Sequence, residues 1–200
     1  MKYICIFGDS TAWGAYDMEK GGWANRLWLH FIGQKDEKFH GVYNLSIDGG
    51  TTETILARFE SEAKIRDAEV LIFQSGGNDA ARKGKDGDCL VPLEKYRENI
   101  REIVRKARQI TPEIVFMGFE HADEAKTTPV YWDDIYYWNK DIDEYNAALR
   151  EICNEENVLY IPLADLQKNG LSEDGLHLTE SGHQKIFETV RDFLVENHFV

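Results

Sequence analysis

Five short apolar runs recur along this chain, and stretches of helical periodicity lie between them. The runs are Tyr3–Phe7, Val42–Ser46, Glu69–Phe73, Ile114–Phe119 and Val158–Ile161. The first and third are nearly continuous in apolar residues, the pattern of strands buried on both faces rather than on one. Between the runs, Trp23, Leu27 and Phe31 share one helical face, as do Ile55, Leu56, Phe59 and Ala63. Tyr96, Ile100, Ile103, Val104 and Ala107 keep the same spacing after Pro92, which can open a helix. Ile142, Tyr145, Leu149, Ile152 and Cys153 do so again, and Thr179 is a suitable N-cap for a last helix through Leu194. Strands alternating with helices predict an α/β fold with a parallel sheet covered on both faces.

Length and composition narrow the class. Two hundred residues without repeat, linker or low-complexity tract read as one domain, 1–200, large enough for a substantial core. Charged residues make up 30% and the net charge is −13, which disfavours nucleic acid or an anionic membrane surface as a partner. No segment reaches membrane-spanning length, so no membrane insertion is expected. The apolar run before Gly8 is too short for a signal-peptide core, and the expected location is cytoplasmic. Cys5, Cys89 and Cys153 are too few and too scattered for a disulfide framework or a zinc site.

The chemistry is expected in the turns. In a parallel sheet the turns that leave successive strands share one edge, where open α/β sheets bind ligands. Ser10, Gly49 and Asn78 lie in the turns after the first three runs, and Asp174-x-x-His177 follows the last. Each has a plainer reading: Asp9 and Ser10 as a helix cap, Gly49 and Gly50 as turn formers, Asn78 as an Asx turn, Asp79 as a loop brace. Of the six histidines, His30, His40, His183 and His198 read as surface or packing residues, while His121 follows a strand end near the expected cleft. After Pro162 the chain reads as loop through Leu178.

Four motifs in this order resemble the blocks of the SGNH hydrolases, or GDSL esterase/lipase family. Gly8-Asp9-Ser10 is similar to the first block, with Thr11-Ala12 where many members carry Leu or Ile followed by Thr. Asn44 to Thr51 resembles the second, Gly76-Gly77-Asn78-Asp79 the third, and Asp174-Gly175-Leu176-His177 the fourth. The resemblance implies a flavodoxin-like three-layer α/β/α sandwich with a five-stranded parallel sheet. It implies a serine hydrolase of carboxylic esters, with Ser10 as nucleophile, His177 as general base and Asp174 orienting the imidazole. The oxyanion donors it implies are the backbone N–H groups of Ser10 and Gly49 and the side-chain amide of Asn78. Neither a metal nor an organic cofactor is implied. Thioesterases, lysophospholipases and carbohydrate O-deacetylases share that mechanism, so the substrate stays open beyond a small ester. A non-catalytic binder of a nucleotide or sugar on the same scaffold is the other class, although no phosphate-binding glycine fingerprint is present. A metal hydrolase comes third, since no His-rich ligand spacing accompanies the many aspartates.

One stretch stands apart. Glu120 to Asn139 shows no periodicity yet holds Tyr131, Trp132, Tyr136, Tyr137 and Trp138. It leaves the fourth run at the same sheet edge, so Trp132 and Trp138 are candidate substrate-binding residues. Packing on the body, or on a second copy in a homo-oligomer, accounts for the rings equally well.

Overall fold

β1 (Tyr3–Gly8) lies at the heart of the sheet, and from Ile4 onward every residue of it is buried. The computed structural model describes residues 1–34, 39–163 and 170–200. In chain order β1 is followed by α1 (Ser10–Trp13), α2 (Trp23–Ile32), β2 (Gly41–Asn44), α3 (Thr52–Leu56), α4 (Phe59–Lys64) and β3 (Val70–Gln74). Then come α5 (Gly77–Ala80), β4 (Arg82–Lys83), α6 (Leu93–Ala107), β5 (Ile114–Met117), α7 (Glu124–Thr127) and β6 (Ile135–Tyr136). The chain continues through α8 (Asn139–Glu156), β7 (Leu159–Ile161) and α9 (Glu180–Glu196).

The main sheet has five parallel strands in the order β2-β1-β3-β5-β7. Strand alternation divides the core into two layers, as the period of two requires. Cys5, Phe7, Leu71, Phe73 and Phe116 face the side covered by α3, α4, α6 and α8. Ile4, Ile6, Val70, Ile72, Val115 and Met117 face the side covered by α2 and α9. On the first side Phe7 stacks on Phe73 at 5.7 Å and Phe73 on Phe116 at 5.1 Å, while Phe59 of α4 meets Phe7 and Phe73 edge-on. Burying each such ring stabilises the fold by roughly 1.5–3 kcal/mol. The three-layer sandwich is the architecture expected from the sequence.

Two elements differ from expectation. The helix read across Ile55 to Ala63 is broken at Arg58, whose φ of −138° is not helical, although both halves still bury Ile55, Phe59 and Ala63. The aperiodic stretch after β5 contains α7 and β6, and β6 pairs antiparallel with β4 in a separate ribbon. Strands of two residues are too short for a period to register. Part of the loop read after Pro162, residues 164–169, lies outside the described residues.

Candidate active site

The reversal of strand order falls between β1 and β3, and there the turns bearing Ser10 and Asn78 lie side by side. A Cβ on Gly8 would come within 2.6 Å of the Ala12 Cβ and 2.7 Å of the Gln74 carbonyl oxygen, so only glycine lets the chain turn this tightly off the sheet. Asp9 then caps α1, its carboxylate accepting from the Thr11 N–H at 3.0 Å. Burial pushes the Asp9 carboxyl up to about 6, against hydrogen bonding from Thr11 and the field of His177. Ser10 is the first residue of α1. Asn44 steadies the far end of that short helix by donating to the Ala12 carbonyl at 2.9 Å.

His177 reaches Ser10 from the other end of the chain. Its Nε2 lies 2.9 Å from the Ser10 Oγ, and its Nδ1 lies 2.7 Å from Asp174 Oδ2. The second carboxylate oxygen of Asp174 accepts from the Ser172 hydroxyl at 2.6 Å and from the N–H groups of Leu176 and His177 at 2.8 and 3.0 Å. Burial alone would raise the Asp174 carboxyl, but these four donors outweigh it and hold it well below the usual carboxylate range. An ionised Asp174 accepts only, so Nδ1 carries the ring proton and Nε2 faces the serine hydroxyl with a lone pair. That nitrogen can take the hydroxyl proton as the oxygen attacks.

The turns beside Ser10 supply donors. Gly49 adopts φ of +69°, the left-handed region in which side chains are strained, although a Cβ there would meet no other atom. Among the described residues the backbone N–H groups of Ser10 and Gly49 donate to no protein atom. Asn78 sits in α5 with its side chain on the cleft, its Nδ2 donating to the Gly50 carbonyl at 3.0 Å. Asp79, next in the chain, ties the turn after β3 to the turn after β2. It accepts from the Thr52 N–H at 3.1 Å and from the Thr52 hydroxyl, which in turn accepts from Asn99 at 2.9 Å. Burial pushes the Asp79 carboxyl up to about 6 despite these bonds.

The cleft over Ser10 measures about 510 Å³ and also meets Trp13, Tyr16, Met18, Asp48, Tyr131 and Trp132. Tyr16 and Trp132 both lie nearly parallel to the His177 ring, at 5.2 and 6.1 Å. Tyr16 holds φ of 65°, a costly conformation for an aromatic residue, in a segment pinned by its neighbour Asp17. Asp17 accepts from the Gly22 N–H at 2.9 Å and pairs with buried Arg26 at 2.8 Å.

The structure brings Ser10, Gly49, Asn78, Asp174, His177 and Trp132 around one cleft and leaves Trp138 out of it. Tyr137 points inward, so its extended-chain neighbours Tyr136 and Trp138 point away and stack on each other at 6.2 Å. Trp138 lines a separate hollow with Arg82, Lys85 and Lys140. His121 does not face the cleft either, being half-buried and bonded to Asp143 at 2.7 Å. His183 is fully buried, bridging the Trp23 N–H and the Ala15 carbonyl. Reading the sequence missed Tyr16 and Tyr137, whose roles depend on contacts that no local pattern marks. Among the described residues no group of three His, Cys, Asp or Glu side chains is placed to hold a metal ion.

The fold is the α/β/α sandwich of its solved structural neighbours, and family and relatives make the chain an ester-hydrolysing enzyme. Residues 6–185 match the model of the GDSL-like lipase/acylhydrolase family, and the chain belongs to that family. A GDSL esterase/lipase of Arabidopsis thaliana is 29% identical, the alignment covering 94% of this chain and 83% of that one. An isoamyl acetate-hydrolyzing esterase homolog of Bos taurus is 26% identical over 92% of this chain and 78% of its own. Among solved structures, a lipase/acylhydrolase from Enterococcus faecalis superposes with a TM-score of 0.78 at 21% identity, covering 97% of this chain and 95% of the other. The acetylxylan esterase Axe2 of Geobacillus stearothermophilus superposes with a TM-score of 0.75 at 19% identity, covering 98% and 93%.

Proposed function

We propose that the chain hydrolyses small carboxylic esters through a covalent acyl intermediate on Ser10. The observation that carries this reading is the continuous relay from Ser10 Oγ to His177 Nε2 and from His177 Nδ1 to Asp174, at 2.9 and 2.7 Å. As Ser10 Oγ bonds to the ester carbon, its proton passes to His177, and the imidazolium is held by ionised Asp174. The carbonyl oxygen becomes an oxyanion, met by the free N–H groups of Ser10 and Gly49 and by the Asn78 amide. Collapse breaks the ester C–O bond, and the departing alcohol takes the proton from His177. Water then gives a proton to His177, attacks the acyl-serine and releases the acid, restoring the Ser10 hydroxyl.

Trp132 and Tyr131 form the wall against which the larger part of the substrate lies. The name of the bovine relative refers to an acetate ester, in line with a short acyl group on the substrate. Residues 1–200 act as one hydrolase domain in this proposal. A cytoplasmic setting is in keeping with three free cysteine thiols. No helix among the described residues is long and apolar enough to cross a membrane.

Labelling with a fluorophosphonate followed by peptide mass spectrometry tests the assignment. Label is expected on Ser10 alone, with ester turnover abolished in Ser10→Ala. Label on Ser46 or Ser75, or turnover surviving in Ser10→Ala, overturns it.

A further inference from the structure

Asn78 can serve an oxyanion only if its amide nitrogen, rather than its oxygen, faces the reacting group. Two contacts hold the amide, and the Gly50 carbonyl decides which way it points. The Gly50 carbonyl, an acceptor only, lies 3.0 Å from Nδ2, which uses one of its two hydrogens and leaves the other. The Tyr137 hydroxyl, 2.7 Å from Oδ1, can donate or accept, and facing a carbonyl-type oxygen it donates. Flipping the amide would set Oδ1 against the Gly50 carbonyl and lose that bond, and would turn Nδ2 to the phenol oxygen, using up the N–H that an oxyanion needs.

We infer that Tyr137 is a positioning residue for the reaction, locking the Asn78 amide with one N–H free for the oxyanion and polarising that N–H through Oδ1. This rests on the oxyanion role proposed for Asn78. The scaffold around Tyr137 fits the task. Its N–H donates to the Thr127 carbonyl at 3.0 Å, and its own carbonyl accepts from the buried Thr127 hydroxyl. Tyr136, one residue before it, pairs with Arg82, four residues after Asn78. Arg82 also grips Asp141 of α8 through two bonds, at 2.6 and 2.8 Å. The ribbon thus sets Tyr137 against Asn78 across 59 residues of sequence. Burial, with the fields of Asp9, Asp48 and Asp174, raises the phenol well above its usual range, so the hydroxyl keeps its proton. A chain of donor bonds from phenol to amide to oxyanion strengthens each link.

The test is a double-mutant cycle on para-nitrophenyl acetate with Tyr137→Phe, Asn78→Ala and the double variant, all read above the Ser10→Ala background. Tyr137→Phe removes one oxygen and keeps the ring. It is expected to lower kcat roughly tenfold with KM changed less than about twofold, since an interaction made mainly in the transition state is weakened. In the Asn78→Ala background the same substitution is expected to change kcat hardly at all. Unchanged kcat in Tyr137→Phe, or an equal loss in both backgrounds, overturns the inference while leaving Asn78 in its role. A wild-type kcat in Asn78→Ala overturns the oxyanion reading itself, and the inference with it.

Discussion

Thr52 and Asp79 lie 27 residues apart, yet the carboxylate of one accepts both the backbone N–H and the hydroxyl of the other. The bond joins the turn that carries Gly49 to the turn that carries Asn78. Two proposed oxyanion donors are therefore held in register by a residue that does not touch Ser10. Asp79→Ala leaves buried donors unpaired, a loss of roughly 2 kcal/mol that removal of the buried charge offsets at neutral pH but not near pH 5, where the raised carboxyl keeps its proton in the fold. Urea denaturation near pH 5 is expected to show that loss, and ester turnover to fall by at least about tenfold. An unaltered denaturation midpoint would show that the two turns are held by something else.

Asp174→Asn keeps an oxygen for the N–H groups of Leu176 and His177 but sets an N–H₂ group against His177 Nδ1. The imidazole must then carry its proton on Nε2, facing Ser10, where it cannot act as a base. Turnover is expected to fall roughly ten-thousand-fold while the melting temperature moves little. Retention of more than about a tenth of wild-type kcat would remove Asp174 from the relay.

Burial has opposite outcomes at different carboxylates, and stability should follow pH accordingly. Asp9 and Asp79 are raised from 3.8 to about 6, so the folded protein binds their protons more tightly than the unfolded chain. Their contribution is full below about pH 4 and is lost as pH rises through about 6. Asp17 and Asp174 are depressed, Asp17 by the Arg26 pair and backbone donors that outweigh burial; their contribution is lost as pH falls below about 4. Denaturation midpoints are expected to peak in mild acid. Asp9→Asn, which can keep the cap to Thr11, should flatten the decline between about pH 4 and 7, raising stability at neutral pH by on the order of 2 kcal/mol. A decline as steep as wild type would refute the burial argument at Asp9.

The two tryptophans of the aromatic stretch should part company in kinetics. Trp132→Ala is expected to change the ratio of kcat/KM between esters of small and bulky alcohols by roughly fivefold or more. Trp138→Ala, on the far face of the extended segment, should leave that ratio as it was. Equal effects from both would mean that the stretch acts through packing alone.

Much of this was legible in the chain. Val70 to Phe73 and Ile4 to Phe7 announce buried strands because every side chain along them must be apolar, and the turns that follow inherit their place from the strands. Asp174 and His177 announce each other because three residues within one turn bring carboxylate and imidazole together. Tyr137 had no such signal. Its partner is distant, its ribbon has two-residue strands, and inward and outward aromatic neighbours look alike until the backbone assigns their faces. Trp138 was misplaced for that reason, and Tyr16 was overlooked because a left-handed tyrosine has no sequence signature.

The hydrogen bond between Ser10 and His177 spans 167 residues, almost the whole chain. In the proposed mechanism the hydroxyl is laid down with the first strand, and its base is carried by the segment beyond β7. A chain in which that segment had not docked would hold an ordinary serine, without base or relay. On that reading the onset of the chemistry is coupled to the completion of the fold.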